Sequence, residues 1–279
     1  MKFSIYNNFG AGNSAPVFAA FEQGLTRLGH TVTHHDNSAD VAVIWSQLWA
    51  GTMQQNLPVW QLYRNSNRPV VVLEVGAINR GHTWKILPNG VNRIVLSGNS
   101  SSRSQQLGIN SLPWTNSGEH VLIALQRPES NQWHGQPQMQ SWLNTVVDEI
   151  QQHTDRPIVI RKHPRFRAVT IPSGCSEQLP TKIANTYDTF DFDQSLRNAW
   201  AVVNWNSNPG INAVLNGVPA FVGPSSIAVS VANTSFDNLD NPARPDRTQW
   251  INDLAWTEWT THEIATGEPV AIYLSEIND

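Results

Sequence analysis

Two stretches in the second half of the chain decide the fold. Ile158–Arg165 reads IVIRKHPR, and Ser195–Gly223 reads SLRNAWAVVNWNSNPGINAVLNGVPAFVG. Each contains a short apolar run that ends in polar residues, as a buried strand does where it leaves a sheet. In the second stretch a helical pattern follows, and Gly217-Val218-Pro219 then turns the chain into another apolar run, Ala220–Val222. Strands that alternate with helices in this way are typical of a parallel sheet.

The same alternation extends over most of the chain. In the second half we predict strands at His120–Leu125, Pro157–Ile160, Ala201–Asn204 and Ala220–Val222, with helices at Gln140–His153, Phe192–Asn198 and Gly210–Asn216. In the first half we predict strands at Phe3–Tyr6, Thr31–His34, Val41–Ile44, Pro69–Glu74 and Ile94–Leu96, with helices at Ala15–Leu28 and Met53–Tyr63. Ser14 is the expected N-cap of the first helix. The pattern predicts an α/β fold with two Rossmann-like parallel-sheet domains that face a cleft.

A polar, turn-rich segment, PWTNSG at residues 113–118, separates the two alternating halves. We therefore place an N-terminal domain at residues 1–116 and a C-terminal domain at residues 117–247. Residues 248–279 come last, and Thr248–Glu268 carries a helical pattern with Trp250, Trp256 and Trp259. We expect this last segment to pack back on the N-terminal domain.

The composition limits the class of protein. Of the 279 residues 14% are charged and 12 are Trp, and the net charge is −4. The acidic balance argues against a broad basic surface for nucleic acid. A single cysteine, Cys175, excludes an internal disulfide framework, and no apolar run reaches the roughly 18 residues that a membrane span needs. We expect a cytoplasmic protein with no membrane span and no obligate protein partner.

Groups that suit a phosphorylated ligand follow three predicted strands of the second half. Cationic and hydroxyl side chains at strand ends, and the start of a helix, are what an anion needs in an α/β sheet. The alternatives are solvated strand ends, a surface arginine and ordinary helix capping with Pro209 in the first turn. The candidate phosphate ligands are Arg127, Arg161, Lys162, His163, Ser207, Asn208 and Gly210.

A carboxylate stands at the end of a predicted buried strand in the first half. Glu74 ends the run VVVLE, and Gly76 follows it. A carboxylate in this position is suited to act as a general base on an acceptor hydroxyl, and the alternative is a loop cap or a partner of Arg80. Glycine-rich and aromatic positions that would line a cleft accompany it. The candidates for contact with an acceptor are Gly10, Gly12, Asn13, Arg80 and Trp205.

Common metal and phosphate motifs are missing from the sequence. It contains no HExxH, no P-loop lysine motif and no GxSxG elbow. His34, His35 and Asp36 are consecutive, but no further ligand stands at a recognised spacing from them. We therefore expect no metal ion and no cofactor.

The ordered motifs LEVGAINRG, LIALQRP, IVIRKHPR and VVNWNSNPGINAVLNGVPAFVG, spread over Pro69–Gly223, resemble those of GT-B glycosyltransferases. The resemblance is to the capsule-polysaccharide (Kdo transferase) type and to related phage-encoded enzymes. It implies a GT-B-like fold, contact of His163, Ser207 and Asn208 with the phosphates of a nucleotide-sugar donor, and a place for Glu74 near the acceptor. The family pattern is Glu-Asp-Gly, whereas this chain has Val75 at the middle position. Either Glu74 has taken the catalytic role or the base lies elsewhere, with His82 and Asp36 as alternatives.

The function expected from this resemblance is a metal-independent, inverting transfer of sugar from a nucleotide-sugar to an acceptor hydroxyl. The tail WINDLAWTEWTTHEIATGE looks like that of phage members, which implies 5-hydroxymethylpyrimidine in phage DNA as one acceptor, in the host cytoplasm. A glycan is the alternative acceptor. A non-catalytic nucleotide-sugar-binding protein and a sugar-nucleotide epimerase stay open as alternative functions.

Overall fold

A computed structural model describes residues 1–278. The described strands are β1 (Lys2–Ile5), β2 (Thr31–His34), β3 (Val41–Trp45), β4 (Val70–Val75), β5 (Trp84–Pro88), β6 (His120–Ala124), β7 (Ile158–Arg161), β8 (Cys175–Gln178), β9 (Ala199–Asn204), β10 (Ala220–Val222) and β11 (Glu258–Trp259). The α-helices are α1 (Ala15–Arg27), α2 (Asn56–Asn65), α3 (Ser102–Gln106), α4 (Met139–Ile150), α5 (Phe192–Ser195), α6 (Asn208–Leu215), α7 (Thr248–Leu254), α8 (Thr261–Thr266) and α9 (Glu268–Asn278). Short 3-10 helices precede α2 at Gly51–Gln55 and follow α7 at Ala255–Thr257.

The chain divides into two compact units. The first consists of Met1–Arg103, Glu129–Asn131 and the chain from Asn252 onward, and the second of Ser104–Pro128 and Gln132–Ile251. Residues 104–116, which the sequence analysis places in the N-terminal domain, therefore lie in the second unit. The physical reason is backbone pairing within that unit, because the Leu112 N–H donates to the Leu215 oxygen and the Thr115 N–H to the Gly217 oxygen.

The first unit contains a six-stranded sheet in the order β11-β5-β4-β3-β1-β2. Strands β1 to β4 are parallel, whereas β5 and β11 are antiparallel additions at one side. The predicted parallel sheet is thus formed by β1 to β4, and two antiparallel strands that were not predicted extend it at one side. The strand predicted at Ile94–Leu96 is wrong, since these residues form no strand and β5 takes that place. The sequence of β5, WKILP, has a lysine at its second position and a proline at its last. It therefore shows neither a continuous apolar run nor a regular alternation, and it was not recognisable as a strand.

Both faces of the first sheet are covered by apolar side chains. Side chains alternate along β4, so that Val71 and Leu73 join a core cluster with α1, whereas Val70 and Val72 join a second cluster with α2. A strand buried on both faces reads as a continuous apolar run, which is why β4 was visible in the sequence.

The end of the chain is held in the first unit by a buried guanidinium. Arg103 donates from Nε to the Ala255 oxygen and from Nη1 to Glu263 Oε1, each at 2.8 Å, and its guanidinium carbon lies 3.8 Å from the centroid of the Trp259 ring. Thr260 and Glu263 form a capping box that starts α8. The segment expected to be helical over Thr248–Glu268 therefore contains the helices α7 and α8, separated by the short 3-10 helix and the two-residue strand β11.

The second unit contains a fully parallel five-stranded sheet in the order β10-β9-β6-β7-β8. Its core includes Ile123, Ile160 and Val203 from the sheet and Leu143 from α4. Strand β8, CSEQ, was not predicted. It is an edge strand whose residues are half-buried or exposed, so its sequence needs no apolar alternation.

A glycine allows close contact between two helices of the first unit. Gly24 of α1 is buried, and a Cβ at this position would lie 2.3 Å from the backbone oxygen of Ile264 in α8. The contact requires the absence of a side chain, because that oxygen belongs to backbone and cannot move aside alone.

Replacement Gly24→Ala separates helix propensity from packing. Propensity alone favours Ala over Gly by about 1 kcal/mol inside a helix. The collision with α8 should instead lower the free energy of unfolding by about 1–3 kcal/mol, the usual cost of overpacking. Urea denaturation measures the change, and Ala19→Gly, at an exposed position of the same helix, is the control with an expected loss of about 1 kcal/mol. A gain in stability for Gly24→Ala would contradict the close contact.

Candidate functional site

The strands of the second unit bring the predicted phosphate ligands to one edge of the sheet. Ala124 of β6 pairs with Arg161 of β7, and Ile123 of β6 pairs with Val203 of β9, all in parallel. The loops that follow these strands therefore leave the sheet at the same edge. Because neighbouring strands lie about 4.8 Å apart, the ends of β7 and β9 are roughly 10 Å apart, on either side of β6. This edge is where α/β sheets bind ligands.

His163 lies in a tight turn directly after β7. Its backbone oxygen accepts from the Phe166 N–H at 3.1 Å, and its Nδ1 accepts from the Arg165 N–H at 3.1 Å. A neutral imidazole whose Nδ1 accepts a hydrogen bond carries its proton on Nε2. The hydrogen bond to Nδ1 thus fixes the ring of His163, a half-buried residue, in the turn at the edge of the sheet.

Arg161 and Lys162 have carboxylate partners inside the second unit. Arg161 Nη2 lies 2.7 Å from Asp191 Oδ1, and Lys162 Nζ lies 3.0 Å from Glu177 Oε1, with both cations buried. Burial by itself raises the pKa of Asp191, but hydrogen bonds from Arg161 and Thr181 and the charge of Arg161 together hold it below its usual value. The predicted role of these two cations as phosphate ligands must therefore compete with ion pairs that are already formed.

The loop between β9 and α6 is folded around the amide of Asn204. Asn204 Nδ2 donates to the Ala124 oxygen at 2.9 Å and lies 3.0 Å from Ser207 Oγ, and Asn204 Oδ1 accepts from the Ser207 N–H at 2.9 Å. Ser207 occupies the N-cap position of α6, but its side chain makes no capping hydrogen bond. The helix begins at Asn208, two residues earlier than predicted, with Pro209 in its first turn.

Two hydrogen bonds between Gln126 and Asn206, one in each direction, tie this loop to the end of β6. Gln126 Nε2 donates to Asn206 Oδ1 at 2.9 Å, and the Asn206 N–H donates to Gln126 Oε1 at 3.2 Å. Asn206 Nδ2 also donates to the Gln132 oxygen and lies 2.8 Å from Ser225 Oγ. Both amides are buried. Gln126 was missed, although a polar residue directly after the apolar run of β6 and before Arg127 was the available signal.

Two other predicted positions of this unit are explained by packing. A Cβ at Gly210 would lie 3.0 Å from Val222, so the glycine lets α6 approach β10. The indole ring of Trp205 lies against Gly223, and a Cβ added at Gly223 would be 2.5 Å from that ring. The centroids of the Trp205 and Trp133 rings are 6.2 Å apart. Trp205 is thus part of the packing of the second unit. Arg127, a half-buried residue, follows the end of β6 at the same edge.

The candidate residues of the first unit also follow the ends of parallel strands. Gly10, Gly12 and Asn13 lie in the loop after β1, and Glu74 and Arg80 lie at the end of β4 and in the loop after it. A Cβ at Gly10 would lie 2.0 Å from Ser14 Oγ, so this glycine is required by the start of α1. Ser14 holds the N-cap position without a capping side-chain hydrogen bond. Glu74 carries the carboxylate of this set.

Glu74 is half-buried and held by two hydrogen bonds. Its Oε2 accepts from Ser46 Oγ at 2.5 Å, and its Oε1 accepts from the Val75 N–H at 2.8 Å. Ser46 directly follows β3 and has a left-handed backbone, with φ 61°. Val75 points to the opposite face of the sheet, because side chains alternate along a strand, and packs on the core cluster with α1. Val75 is therefore a half-buried residue that packs against this core.

Glu74, Lys85 and Glu258 form a row across three neighbouring strands. Glu74 of β4 pairs with Lys85 of β5, and Lys85 pairs with Glu258 of β11, both directly and antiparallel. Direct partners in an antiparallel pair present their side chains on the same face, about 5 Å apart. Lys85 is 2% exposed and Glu258 is 0% exposed. Burial lowers the pKa of Lys85, and the charges of Glu258 and Glu74 oppose that shift. Neither Lys85 nor Glu258 was singled out from the sequence.

The two alternative bases lie in different surroundings. Asp36 follows β2, an edge strand three positions from β4, and forms an ion pair of 2.5 Å with Lys2. Hydrogen bonds from Lys2 and Ser38 lower the pKa of Asp36 well below its usual range, which makes it a weak base. His82 is exposed in the loop between β4 and β5. Of the three candidate bases, Glu74 alone ends a central strand.

Among the described residues, no group of three or more His, Cys, Asp or Glu side chains is arranged to hold a metal ion. Within residues 1–278 no helix has both the length and the apolar composition to cross a membrane.

Comparison with known proteins gives likeness in structure but none in sequence. No protein-family model and no curated protein matches the chain. The Thermosulfurimonas dismutans KpsC structure described as a beta Kdo 2,7 transferase is 12% identical, covers 98% of this chain and 100% of its own, and has a TM-score of 0.55. The beta Kdo 2,4 transferase of the same protein is 11% identical, covers 100% of this chain and 98% of its own, and has a TM-score of 0.53. The likeness concerns the fold, and it confirms the predicted α/β, GT-B-like class.

Replacement Asp191→Asn tests the buried ion pair with Arg161. Because folding lowers the pKa of Asp191, unfolding takes up a proton at acidic pH. The ion pair contributes fully to the free energy of unfolding above the ordinary carboxyl pKa of about 4. This contribution is lost as the pH falls through the lower pKa that Asp191 has in the folded state. Urea denaturation at a series of pH values should show that Asp191→Asn is less stable at pH 7 and has a flatter profile below about pH 4. Asp193→Asn, at an exposed neighbouring position, should change neither. Equal profiles for the two variants would contradict the ion pair.

Proposed function

We propose that this protein is a glycosyltransferase that moves a sugar from a nucleotide-sugar donor to an acceptor hydroxyl. The observation that carries the proposal is the meeting of His163, Arg127 and the Asn204–Ser207 loop at one edge of the second sheet, in a chain whose fold is similar from end to end to two Kdo transferase structures. Sugar transfer leaves a phosphate or diphosphate behind, so donors fixed at that place stabilise the charge that develops as the glycosidic bond breaks.

The second unit would bind the donor phosphates. His163 Nε2–H, the guanidinium of Arg127, and the start of α6 at Ser207 and Asn208 are the groups proposed to face them. Gly210 acts indirectly, because it lets α6 lie close to β10. Arg161 and Lys162 would add positive potential at the same edge, with Asp191 and Glu177 as their direct partners.

In the first unit Glu74 would remove the proton of the acceptor hydroxyl. Its carboxylate is half-buried and receives only two described hydrogen bonds from Ser46 and Val75, so it keeps capacity to accept another. Gly10, Gly12, Asn13 and Arg80 would line the approach of the acceptor, as the sequence suggested. We propose inversion by a single displacement without a metal ion. Retention would need a second carboxylate as a nucleophile, and Glu258, the other carboxylate of the row, is fully buried. The anomeric configuration of the product, measured by nuclear magnetic resonance, distinguishes inversion from retention. Activity in the presence of EDTA tests whether a metal ion is needed.

Replacement Glu74→Gln should abolish transfer and preserve donor binding. Loss of a positioned base costs about 10²–10⁴-fold in rate, whereas the donor contacts lie on other residues. Turnover with a panel of UDP-, GDP- and CMP-sugars, and calorimetric binding of the same donors, measure the two effects. Glu22→Gln, at a half-buried position of α1 in the first unit, is the matched control and should keep full activity. Unchanged turnover in Glu74→Gln would remove Glu74 from the mechanism.

Replacement His163→Ala should weaken donor binding, since a hydrogen bond to a charged phosphate is worth about 1.5–3 kcal/mol, or roughly 10- to 100-fold in Kd. His134→Ala, an exposed histidine of the same unit, is the control. Equal affinity of His163→Ala and the unmodified protein for every nucleotide of the panel would place the phosphate site elsewhere.

Two acceptor classes follow from the proposal. One is 5-hydroxymethylpyrimidine in phage DNA, which would place the protein in the host cytoplasm, and the other is a glycan. Binding to hydroxymethylated duplex DNA would weaken steeply between low and moderate salt, because contacts with phosphate release counterions. A gel shift at two salt concentrations, together with transfer to DNA and to oligosaccharides, separates the two classes.

A non-catalytic nucleotide-sugar-binding protein is the second candidate, and the specific observation in its favour is Val75 at the position of the family's Asp. Donor binding without turnover in the unmodified protein, for every acceptor tried, would favour it. Conversion of the donor sugar without any acceptor would instead indicate an epimerase.

A further inference from the structure

A carboxylate of β11 is buried two strands away from the proposed base. Glu258 is 0% exposed, although an ionised carboxylate is costly to bury without partners. It lies on β11, a two-residue strand that pairs antiparallel with β5 at the edge of the first sheet.

The partners of Glu258 lie in the loop that follows Glu74. Its Oε1 accepts from the Ala77 N–H at 2.5 Å, and the Ile78 N–H approaches its two oxygens at 3.1 and 3.2 Å. Thr83 Oγ1 donates to its Oε2 at 2.7 Å. Gly76 makes room for the carboxylate, because a Cβ there would lie 2.2 Å from Glu258 Oε2. Both ends of the loop between β4 and β5 are therefore bonded to one side chain.

Glu258 is also joined to Glu74 through Lys85. Lys85 lies between the two carboxylates in the row across β4, β5 and β11, and both carboxylates act on its charge. A buried ammonium is costly to hold without carboxylates near it, and removal of one of them disturbs the arrangement of the others. Loss of the Glu258 charge would therefore change the position of Lys85 and, through it, the position of the Glu74 carboxylate.

We propose that Glu258 is a positioning residue for the reaction at Glu74, acting through the loop from Gly76 to Thr83 and through Lys85. This inference rests on the proposed function and goes beyond it, since it makes the last segment of the chain part of the catalytic apparatus of the first unit. Glu258 itself is not a base, because its oxygens are buried and occupied by hydrogen bonds from the loop.

The chain offers a matched control for this proposal. Glu263 is a second buried carboxylate of the same segment, but its partners are Arg103 and Thr260 rather than the loop after Glu74. Glu258→Gln and Glu263→Gln should both lower the melting temperature. Only Glu258→Gln should lower kcat by about tenfold or more, with KM for the donor within about threefold, because small displacements of a catalytic group affect the chemical step.

Hydrogen exchange provides a readout that does not depend on activity. Peptides that cover residues 76–83 should exchange faster in Glu258→Gln than in Glu263→Gln or the unmodified protein, because an NH2 donor replaces one of the two oxygens that accept hydrogen bonds from Ala77, Ile78 and Thr83. If Glu258→Gln fails to fold cooperatively, Thr83→Val, which removes one donor to Glu258, should show the same selective loss of kcat.

The outcomes are distinguishable. Equal loss of kcat in Glu258→Gln and Glu263→Gln, or unchanged kcat in both Glu258→Gln and Thr83→Val, overturns the inference while leaving the glycosyltransferase proposal intact. An unmodified protein without turnover contradicts the proposed function, and with it the positioning role. In that case faster exchange of residues 76–83 in Glu258→Gln would show that Glu258 holds the loop for structural reasons only.

Discussion

Parallel pairing of buried strands is the constraint on which the rest of this structure depends. Parallel strands all end at the same edge of their sheet, so loops that are far apart in sequence leave the sheet side by side. In the second unit this applies to the loops after β6, β7 and β9, and in the first unit to those after β1, β3 and β4. Nearly all candidate residues lie in these loops or in the last two positions of these strands. The exceptions are Lys85 and Glu258, which antiparallel strands bring to the row.

Buried polar groups at these edges are satisfied mainly by one another. The amides of Asn204, Asn206 and Gln126 hold the loop before α6, and the carboxylate of Glu258 holds the loop after β4. A buried polar group without a partner is costly, so such networks keep the backbone near them in one conformation. Side chains on a backbone held in this way are preorganised for a ligand, which is what catalysis by fixed dipoles requires.

Burial separates the charged groups that support these loops from the groups that we propose to face a ligand. Arg161, Lys162 and Glu258 are charged, close to the candidate sites and buried, and each has a partner of opposite charge or several hydrogen bonds. His163 and Glu74 are half-buried and stand at the ends of central strands. The side chains of the first set are buried, whereas those of the second set are half-buried.

The sequence alone determined the order of the strands with continuous apolar runs, the helices between them and the placement of His163, Ser207 and Glu74 at strand ends. These features are readable because periodicity and strand length are properties of consecutive residues. Only the tertiary structure decided the antiparallel addition of β5 and β11, the carboxylate partners of Arg161 and Lys162, and the amide pair of Gln126 and Asn206. Each of these joins residues distant in sequence. Glu258 is 181 residues from Ala77, whose N–H donates to it. No local sequence pattern indicates this pairing, because two groups distant in sequence need each other only once folding has buried both of them.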